Sequence, residues 1–330
     1  MEKSAKIVIA GAAKKGFTSI DVYETASNLG FVGAGIQLAP NMARVLDRLG
    51  VWEDIAREAV ECRETSIRQP QTLTADVLLA ADGIKSNVRS ALLKEINADA
   101  TIVDTQQAAY RIMLKRSEME HDPELLALID NEIVTRWIGE KRHIIAYPVS
   151  SKTIYNISTA QPDKNFAAAP SATYTTKGSK KAMMDTFSDF CPKIQRMLDL
   201  VPEGEVCEWK LRVHAPLPTW IHGSVALVGD SCHPPLPHLA QGAAQAIEDA
   251  AVLAEVLDLC PSSNAEDINK SLRVYEKVRK ERAETLVELA AENGRDLHLG
   301  QGKAKEERDR KFAALKYEKK EGGAVPDKAK

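Results

Sequence analysis

The sequence predicts an α/β protein: a parallel-sheet domain, an antiparallel sheet inserted into it, and helices toward the C-terminal side. Three observations carry this. Thr74 to Leu93 and Ser224 to Leu257 each run apolar strand, acidic turn, helix start, the order that places ligands beyond the carboxyl ends of strands. Between them, from about Ala100 to Leu211, four strand-like runs follow one another across polar turns, which reads as antiparallel sheet. Lys6 to Ala10 (KIVIA) is a β-branched run ending at Gly11, the form of a buried first parallel strand. These changes of character divide the chain into 1–98, 99–210, 211–300 and 301–330. They are the first part of the parallel-sheet domain, the inserted domain, the returning part with a long helix, and a charged tail expected to be partly disordered.

With 330 residues and 44% apolar content the chain builds a substantial core, and its net charge of -3 gives no polyanion-binding surface. Nucleic acid is therefore not an expected partner. The five cysteines form no CxxC pair, which fits a reducing compartment. No apolar run approaches about 18 residues and the N-terminal one is too short for a signal peptide, so the expectation is a cytoplasmic protein without a membrane span.

In chain order, Ser19 to Tyr23 is a second strand ending at Glu24, the placement of an acid that takes ribose hydroxyls. Seven residues, Ala12 to Thr18, separate the two strands. A crossover with its helix needs at least about ten, so the stretch reads either as an ordinary strand pair with a solvated lysine turn or as a phosphate site without its usual helix start, with Lys14 and Lys15 supplying charge. Asn28 to Pro40 is a glycine-rich loop in which Ala34-Gly35 permits close backbone approach, and Asn41 to Leu49 is a short amphipathic helix. Asp76 to Ala80 reads as a buried strand, Asp82-Gly83 as its turn, and Ser86 to Leu93 as a helix start. Asp82 serves there either as a helix cap or as one of two acids facing a ligand. The strand-like runs are Tyr110 to Leu114, Ile133 to Trp137, His143 to Tyr147 and Ile154 to Ile157, and Ala182 to Leu200 reads as one helix. Arg111 stands within an apolar strand and so needs a partner.

Ser224 to Val228 is the next strand, closed by Gly229-Asp230. Pro234, Pro235 and Pro237 stiffen the loop beyond it, and Gln241-Gly242 opens an alanine-rich helix whose free N–H groups and dipole favour negative charge. Cys232, His233 and His238 carry ligand-type atoms, but the prolines lock the segment and no further ligand has suitable spacing, so a packed loop without metal is expected. Asn269 to Asn293 is a long helix with Leu272, Tyr275, Val278, Leu286, Leu289 and Ala290 inward and a Glu276–Lys280 pair outside.

These stretches, in this order, resemble the flavin-dependent aromatic hydroxylases of the salicylate hydroxylase type. The resemblance is carried by VYE (Val22 to Glu24), VGAGIQLAPN (Val32 to Asn41), ADVLLAADGIKSNVR (Ala75 to Arg89) and AYRIML (Ala109 to Leu114). It is carried also by the H-x-x-x-YP of His143 to Pro148 and by YEKVRKERA (Tyr275 to Ala283). VALVGDSCHPPLPHLAQGAAQAIEDAAVLA (Val225 to Ala254) is the most specific match. The resemblance implies a Rossmann-like FAD-binding domain with an antiparallel substrate domain. It places Glu24 on the adenosine ribose, Ala34 and Gly35 near the flavin by backbone, and Asp82 at the shared flavin and nicotinamide region. It places Asp230 on the ribityl chain, Pro237 beside the ring, and Gly242, Ala243 and Ala244 at the ring's pyrimidine end. Arg111 and Tyr147 become the catalytic candidates, with packing as the alternative role for Tyr147 and His143. The implied reaction uses NADH or NADPH to reduce the flavin, and O2 to hydroxylate a small phenolic or polyketide-like aromatic substrate.

Two internal stretches depart from the family pattern: the glycine fingerprint with its helix between Gly11 and Gly16, and the strands expected between Cys62 and Thr74. The matched sequence resumes in register beyond each gap. The expectation is weak FAD affinity in this chain, with an impaired relative or a flavin reductase on the same fold as the competing readings.

Overall fold

The computed structural model describes residues 75–99, 101–164 and 175–314, with backbone only at 175–177. The expectations at Glu24, Ala34 and Gly35 lie outside the described residues. In chain order the elements are β1 (Leu78–Ala80), α1 (Asn87–Glu95), β2 (Ile102–Lys115), α2 (Arg116–Met119), α3 (Pro123–Asp130), β3 (Thr135–Gly139), β4 (Arg142–Val149), β5 (Ile154–Pro162) and β6 (Thr175–Lys177). They continue with α4 (Lys180–Thr186), α5 (Pro192–Asp199), β7 (Cys207–His214), β8 (Ile221–His222), β9 (Val225–Leu227), α6 (Gly242–Asp258), α7 (Ala265–Leu297) and α8 (Lys303–Ala314). The described residues fall into two compact units, 75–103 with 212–291, and 104–211 with 292–314.

The first unit holds the α/β part. Its described sheet has the order β1-β9-β8. β1 and β9 pair in parallel, partners 147 residues apart, with Leu79 opposite Ala226, and β8 pairs antiparallel to β9. Trp220, Leu227, Leu253, Leu272 and Tyr275 form the buried core beneath it. β1 is shorter than the expected buried strand, and Leu78 is 49% exposed, because β1 is an edge strand among the described residues. Ser86 caps α1 by accepting from Arg89 N, as its side chain and position direct.

The long helix keeps its expected face in part, with Leu272, Tyr275 and Ala290 buried. Its buried stripe runs Ile268, Leu272, Tyr275, Arg279 and Ala283, whereas Val278 is 55% and Leu289 43% exposed. Spacings of three and four are kept, but an arginine occupies the position assigned to an apolar residue because buried carboxylates face it. The Glu276–Lys280 pair is not formed. Glu276 instead accepts from Trp220 N (2.6 Å) and Thr219 Oγ1 (2.7 Å), and Lys280 pairs with Glu284. A part-buried backbone N–H needs an acceptor, whereas a half-buried lysine keeps other partners within reach.

The second unit is built on a six-stranded sheet of order β3-β4-β5-β2-β7-β6. Alternation sorts its two faces. Tyr110, Ile112, Leu114, Ile144, Tyr155 and Ile157 are buried against α3, α4 and α5. The expected helix from Ala182 to Leu200 is two helices, α4 and α5. Pro192 stands at the first position of α5, where its missing N–H is harmless, and it cannot continue a helix from before it. Helix α8 lies in the charged stretch and buries no residue.

Candidate functional site

The carboxyl ends of β1 and β9 meet. Val228 N donates to Ala80 O (2.9 Å), and Ser231 Oγ donates to the same carbonyl (2.7 Å). Arg89, buried in the first turn of α1, bridges both junctions by donating to Ser231 O (3.0 Å) and Ile84 O (2.7 Å). Sequence reasoning passed over Arg89 and Ser231. A signal for Arg89 existed, since a cation opposes the helix dipole at an N-terminus and so is held there by something else. Asp82 takes the helix-cap role, its Oδ2 accepting from Asn87 N (2.9 Å) and Val88 N (3.2 Å).

Gly229 turns the chain with φ +62, and a Cβ there would lie 3.0 Å from the Ala246 Cβ. Any side chain at 229 is thus both strained and crowded. Asp230 follows in the same turn. Its carboxylate is half-buried and makes no hydrogen bond within the described residues. Burial pushes its carboxyl up, and the charge of His233 opposes this. The prolines shape the return: Pro237 opens a 3-10 turn that ends at Ala240 in the left-handed region, φ 54. Helix α6 then starts beside Asp230. A Cβ built on Gly242 would meet Pro235 Cγ at 3.3 Å and lie 4.0 Å from Asp230 Oδ1. The first bond of α6 is Gln245 N to Gln241 O (2.9 Å), so the N–H groups of Gly242, Ala243 and Ala244 are those a helix leaves without intrahelical partners. An unengaged carboxylate next to three such N–H groups, over a glycine that keeps the surface open, suits a ligand with a polyol and an anionic ring edge.

Cys232, His233 and Asp249 place one ligand-type atom each within 4.8 Å of one another, and all are buried. The expected companion, His238, is not of this group. Asp249 already accepts from His233 Nε2 (2.6 Å), Arg279 Nε (2.8 Å) and Gly229 N (2.9 Å). The Asp249 carboxylate is thus already engaged by an imidazole, a guanidinium and a backbone N–H.

In the second unit, register places Arg111, Ser158, Ile145 and Arg136 in one row across β2, β5, β4 and β3. The next row holds Met113, Asn156 and Tyr147. This is the face opposite the apolar core, so Arg111 and Tyr147 share it. The Arg111 guanidinium carbon lies 5.4 Å from the Trp209 ring centroid and pairs with no carboxylate of the described residues. Burial lowers its pKa, while Tyr147 and Cys207 act in the other direction. Burial likewise raises the Tyr147 phenol. A dry cation over an indole beside a protonated phenol is a receptor for a phenolate or carboxylate. Trp209 was not foreseen. It belongs to β7, whose odd positions Cys207 to Val213 are half-buried and whose even positions Glu208, Lys210, Arg212 and His214 are buried; no apolar alternation announced that strand. His143 Nδ1 lies 2.7 Å from His298 Nε2, which assigns His143 to a histidine pair at the end of α7. The groove of about 870 Å³ along α7, lined by Pro216, Leu236, Lys277 and Glu281 among others, contains none of the candidate residues. No helix of the described residues is long and apolar enough to cross a membrane.

Comparisons with known proteins bear on these two constellations. A family model described as an FAD binding domain matches residues 41–290. The chain is 34% identical over 240 residues to the FAD-dependent monooxygenase atnJ of Arthrinium sp., covering 72% of this chain and 55% of that protein. It is 25% identical to a 6-hydroxynicotinate 3-monooxygenase of Pseudomonas fluorescens, covering 89% and 92%. That alignment has 374 positions against a chain of 330, so it opens gaps in this chain. Among solved structures, a salicylate hydroxylase substrate complex superposes with a TM-score of 0.64 at 26% identity, covering 81% of this chain and 69% of the other. The chain spans about half the length of most of the curated relatives it matches.

Proposed function

Because the chain belongs to the FAD-binding family of FAD-dependent monooxygenases and hydroxylases, we propose that it hydroxylates a small phenolic or polyketide-like aromatic compound with FAD, NADH or NADPH, and O2. The observation that carries this is the half-buried Asp230 carboxylate, without a hydrogen bond among the described residues, beside the N-terminus of α6. In this reading Asp230 accepts from the ribityl hydroxyls. The N–H groups of Gly242, Ala243 and Ala244 face the pyrimidine end of the ring, Pro237 packs beside it, and Asp82 borders the nicotinamide approach while capping α1. When bound, FAD would supply the redox and oxygen-activating chemistry. The chain supplies the rest: Arg111 orients an anionic substrate and favours its phenolate, Tyr147 donates a hydrogen bond, and Trp209 keeps the guanidinium dry. Relatives carry names that include 6-hydroxynicotinate and 3-hydroxybenzoate as substrates, both phenol-like rings with a carboxylate, which suits one arginine on an apolar face. NAD(P)H oxidation stimulated by such a ring, with one hydroxyl added to the product, is the test. Stimulated oxidation without a hydroxylated product would favour a reductase.

Arg111→Met is expected to weaken binding of 6-hydroxynicotinate by roughly 10- to 100-fold, the range of a lost charged hydrogen bond. Calorimetric titration checks this, and an unchanged affinity would remove Arg111 from the substrate site. The gaps opened in the alignment with the Pseudomonas relative support a second reading, a relative with an incomplete phosphate-holding segment. On that ground the purified chain is expected to carry well under one FAD per polypeptide. Stoichiometric yellow protein, read from the ratio of visible to ultraviolet absorbance, would contradict it.

A further inference from the structure

Three positions on one face of α6 touch the Gly229–Asp230 turn. Gly242 lies under the Asp230 carboxylate, Ala246 fills the space a Gly229 side chain would need, and Asp249 accepts the Gly229 N–H. They are spaced four and three apart, one turn each. The first two positions act by being small. The third is a charge, and it is buried to 0% exposure. Its second oxygen takes Arg279 Nε, and its first also takes His233 Nε2. Arg279 is fixed in turn by Glu248 (2.6 Å) and the Gln245 side chain (2.7 Å). Each member is therefore held by at least one neighbour on another element. The constellation is far more elaborate than packing a glycine turn requires, and Arg279 interrupts an otherwise apolar stripe of α7 to complete it.

We propose that His233 and Arg279, acting through Asp249, are positioning residues that fix the Gly229–Asp230 turn and so aim the Asp230 carboxylate at the ribityl chain. The inference rests on the reading of Asp230 as a flavin ligand. Asp249 holds the Gly229 N–H most strongly while its carboxylate is ionised and oriented, and a lone buried carboxylate is favoured to be neither. The two cations meet that need from opposite sides. His233 comes from the turn itself, so the turn is gripped twice by the same carboxylate, at Gly229 and at His233. The other charged or titratable groups around the imidazole are Asp230 and Cys232 on its own loop, His214 at the end of β7, Glu248 on α6 and Tyr275 on α7. Burial raises the Cys232 thiol and the Tyr275 phenol, so neither competes as an anion at neutral pH.

The test uses the full chain with His233→Gln, which keeps a donor toward Asp249, His233→Ala, Asp249→Asn and Asp230→Ala. In the FAD-free protein, amide hydrogen exchange at Gly229 is expected to speed at least tenfold in His233→Ala and Asp249→Asn, with His233→Gln close to the parent. Unchanged exchange overturns the proposal whether or not FAD binds. FAD affinity, read by quenching of flavin fluorescence, is expected to fall about tenfold in His233→Ala, and the same change placed on Asp230→Ala is expected to add little. An undiminished second loss would mean that His233 acts independently of Asp230, which also overturns it. If Asp230→Ala alone leaves FAD affinity unchanged, the flavin reading of Asp230 fails, while the exchange result still decides whether the network fixes the turn.

Discussion

Asp249→Ala is expected to destabilise the protein by about 3–5 kcal/mol, the cost of leaving buried charges without their counter-ion. The carboxylate is fully buried between an imidazole and a guanidinium whose side chains are 1% and 3% exposed. Its loss strips His233 of its only ion-pair partner in the described residues and leaves Arg279 with Glu248 as its remaining carboxylate there. It also orphans the Gly229 N–H. Asp249→Asn keeps the volume and one acceptor, so a smaller loss is expected. Urea denaturation measures both, and a change under about 1 kcal/mol for alanine would mean that water or relaxation replaces the network. The pH dependence follows from the same geometry. Asp249 holds the His233 pKa well above 6.5 although burial acts against it. A group whose folded pKa is raised contributes stability that is full below its unfolded value and is lost as pH rises through the folded one. Stability is thus expected to decline above about pH 6.5 through His233, and again above pH 10 as the buried Tyr275, whose phenol burial raises, begins to ionise in the unfolded chain. Asp249 has the opposite sign. Burial raises its pKa, but His233 and Arg279 outweigh this and leave it lowered, so its contribution is present above about pH 4 and lost on acidification.

What the sequence made legible was local and covalent in origin. Gly229 needs a left-handed backbone, Pro192, Pro235 and Pro237 fix or forbid conformations, and Gln241-Gly242 starts a helix; each acts within a few residues of itself. The junctions at Asp82 and Asp230 were visible for that reason, and so was the alternation that sets Arg111 against Tyr110 and Ile112. The inward face of α7 was legible only in part: Leu272, Tyr275 and Ala290 are buried as read, but Arg279 was not found. Val278 and Arg279 are neighbours in sequence, and periodicity alone favours the apolar one. The choice is made by Asp249, 30 residues away in sequence, so no reading of the helix by itself could find it. β7 escaped for a related reason: its buried positions are Glu208, Lys210, Arg212 and His214, a polar pattern that only partners from other strands make tolerable. Asp82 shows the limit from the other side. The same Asp-Gly turn serves a cap and a ligand site, and the bonds to Asn87 N and Val88 N establish the first without removing the second.

Trp220→Ala is expected to cost about 3–5 kcal/mol, the range for emptying a large aromatic from a core. Trp220 is 0% exposed and sits between two rings, 5.0 Å from His233 at 43° and 5.9 Å from Tyr275 at 47°. Its indole N–H finds no hydrogen-bond partner among the described residues, so the loss is one of packing and Trp220→Phe is expected to recover most of it. The position gives the substitution a second effect. His233 is held by Asp249 at its edge and lies against the Trp220 ring, and Tyr275 donates to Leu227 O at 3.0 Å just ahead of the Gly229 turn. Emptying the space between the rings lets the imidazole rotate away from Asp249 even where the fold survives. Combining Trp220→Ala with His233→Ala is therefore expected to destabilise less than the sum of the two alone, by about 1 kcal/mol, a coupling typical of side chains in contact. Strict additivity in urea denaturation would separate the aromatic packing from the ion network and leave Trp220 as an ordinary core residue.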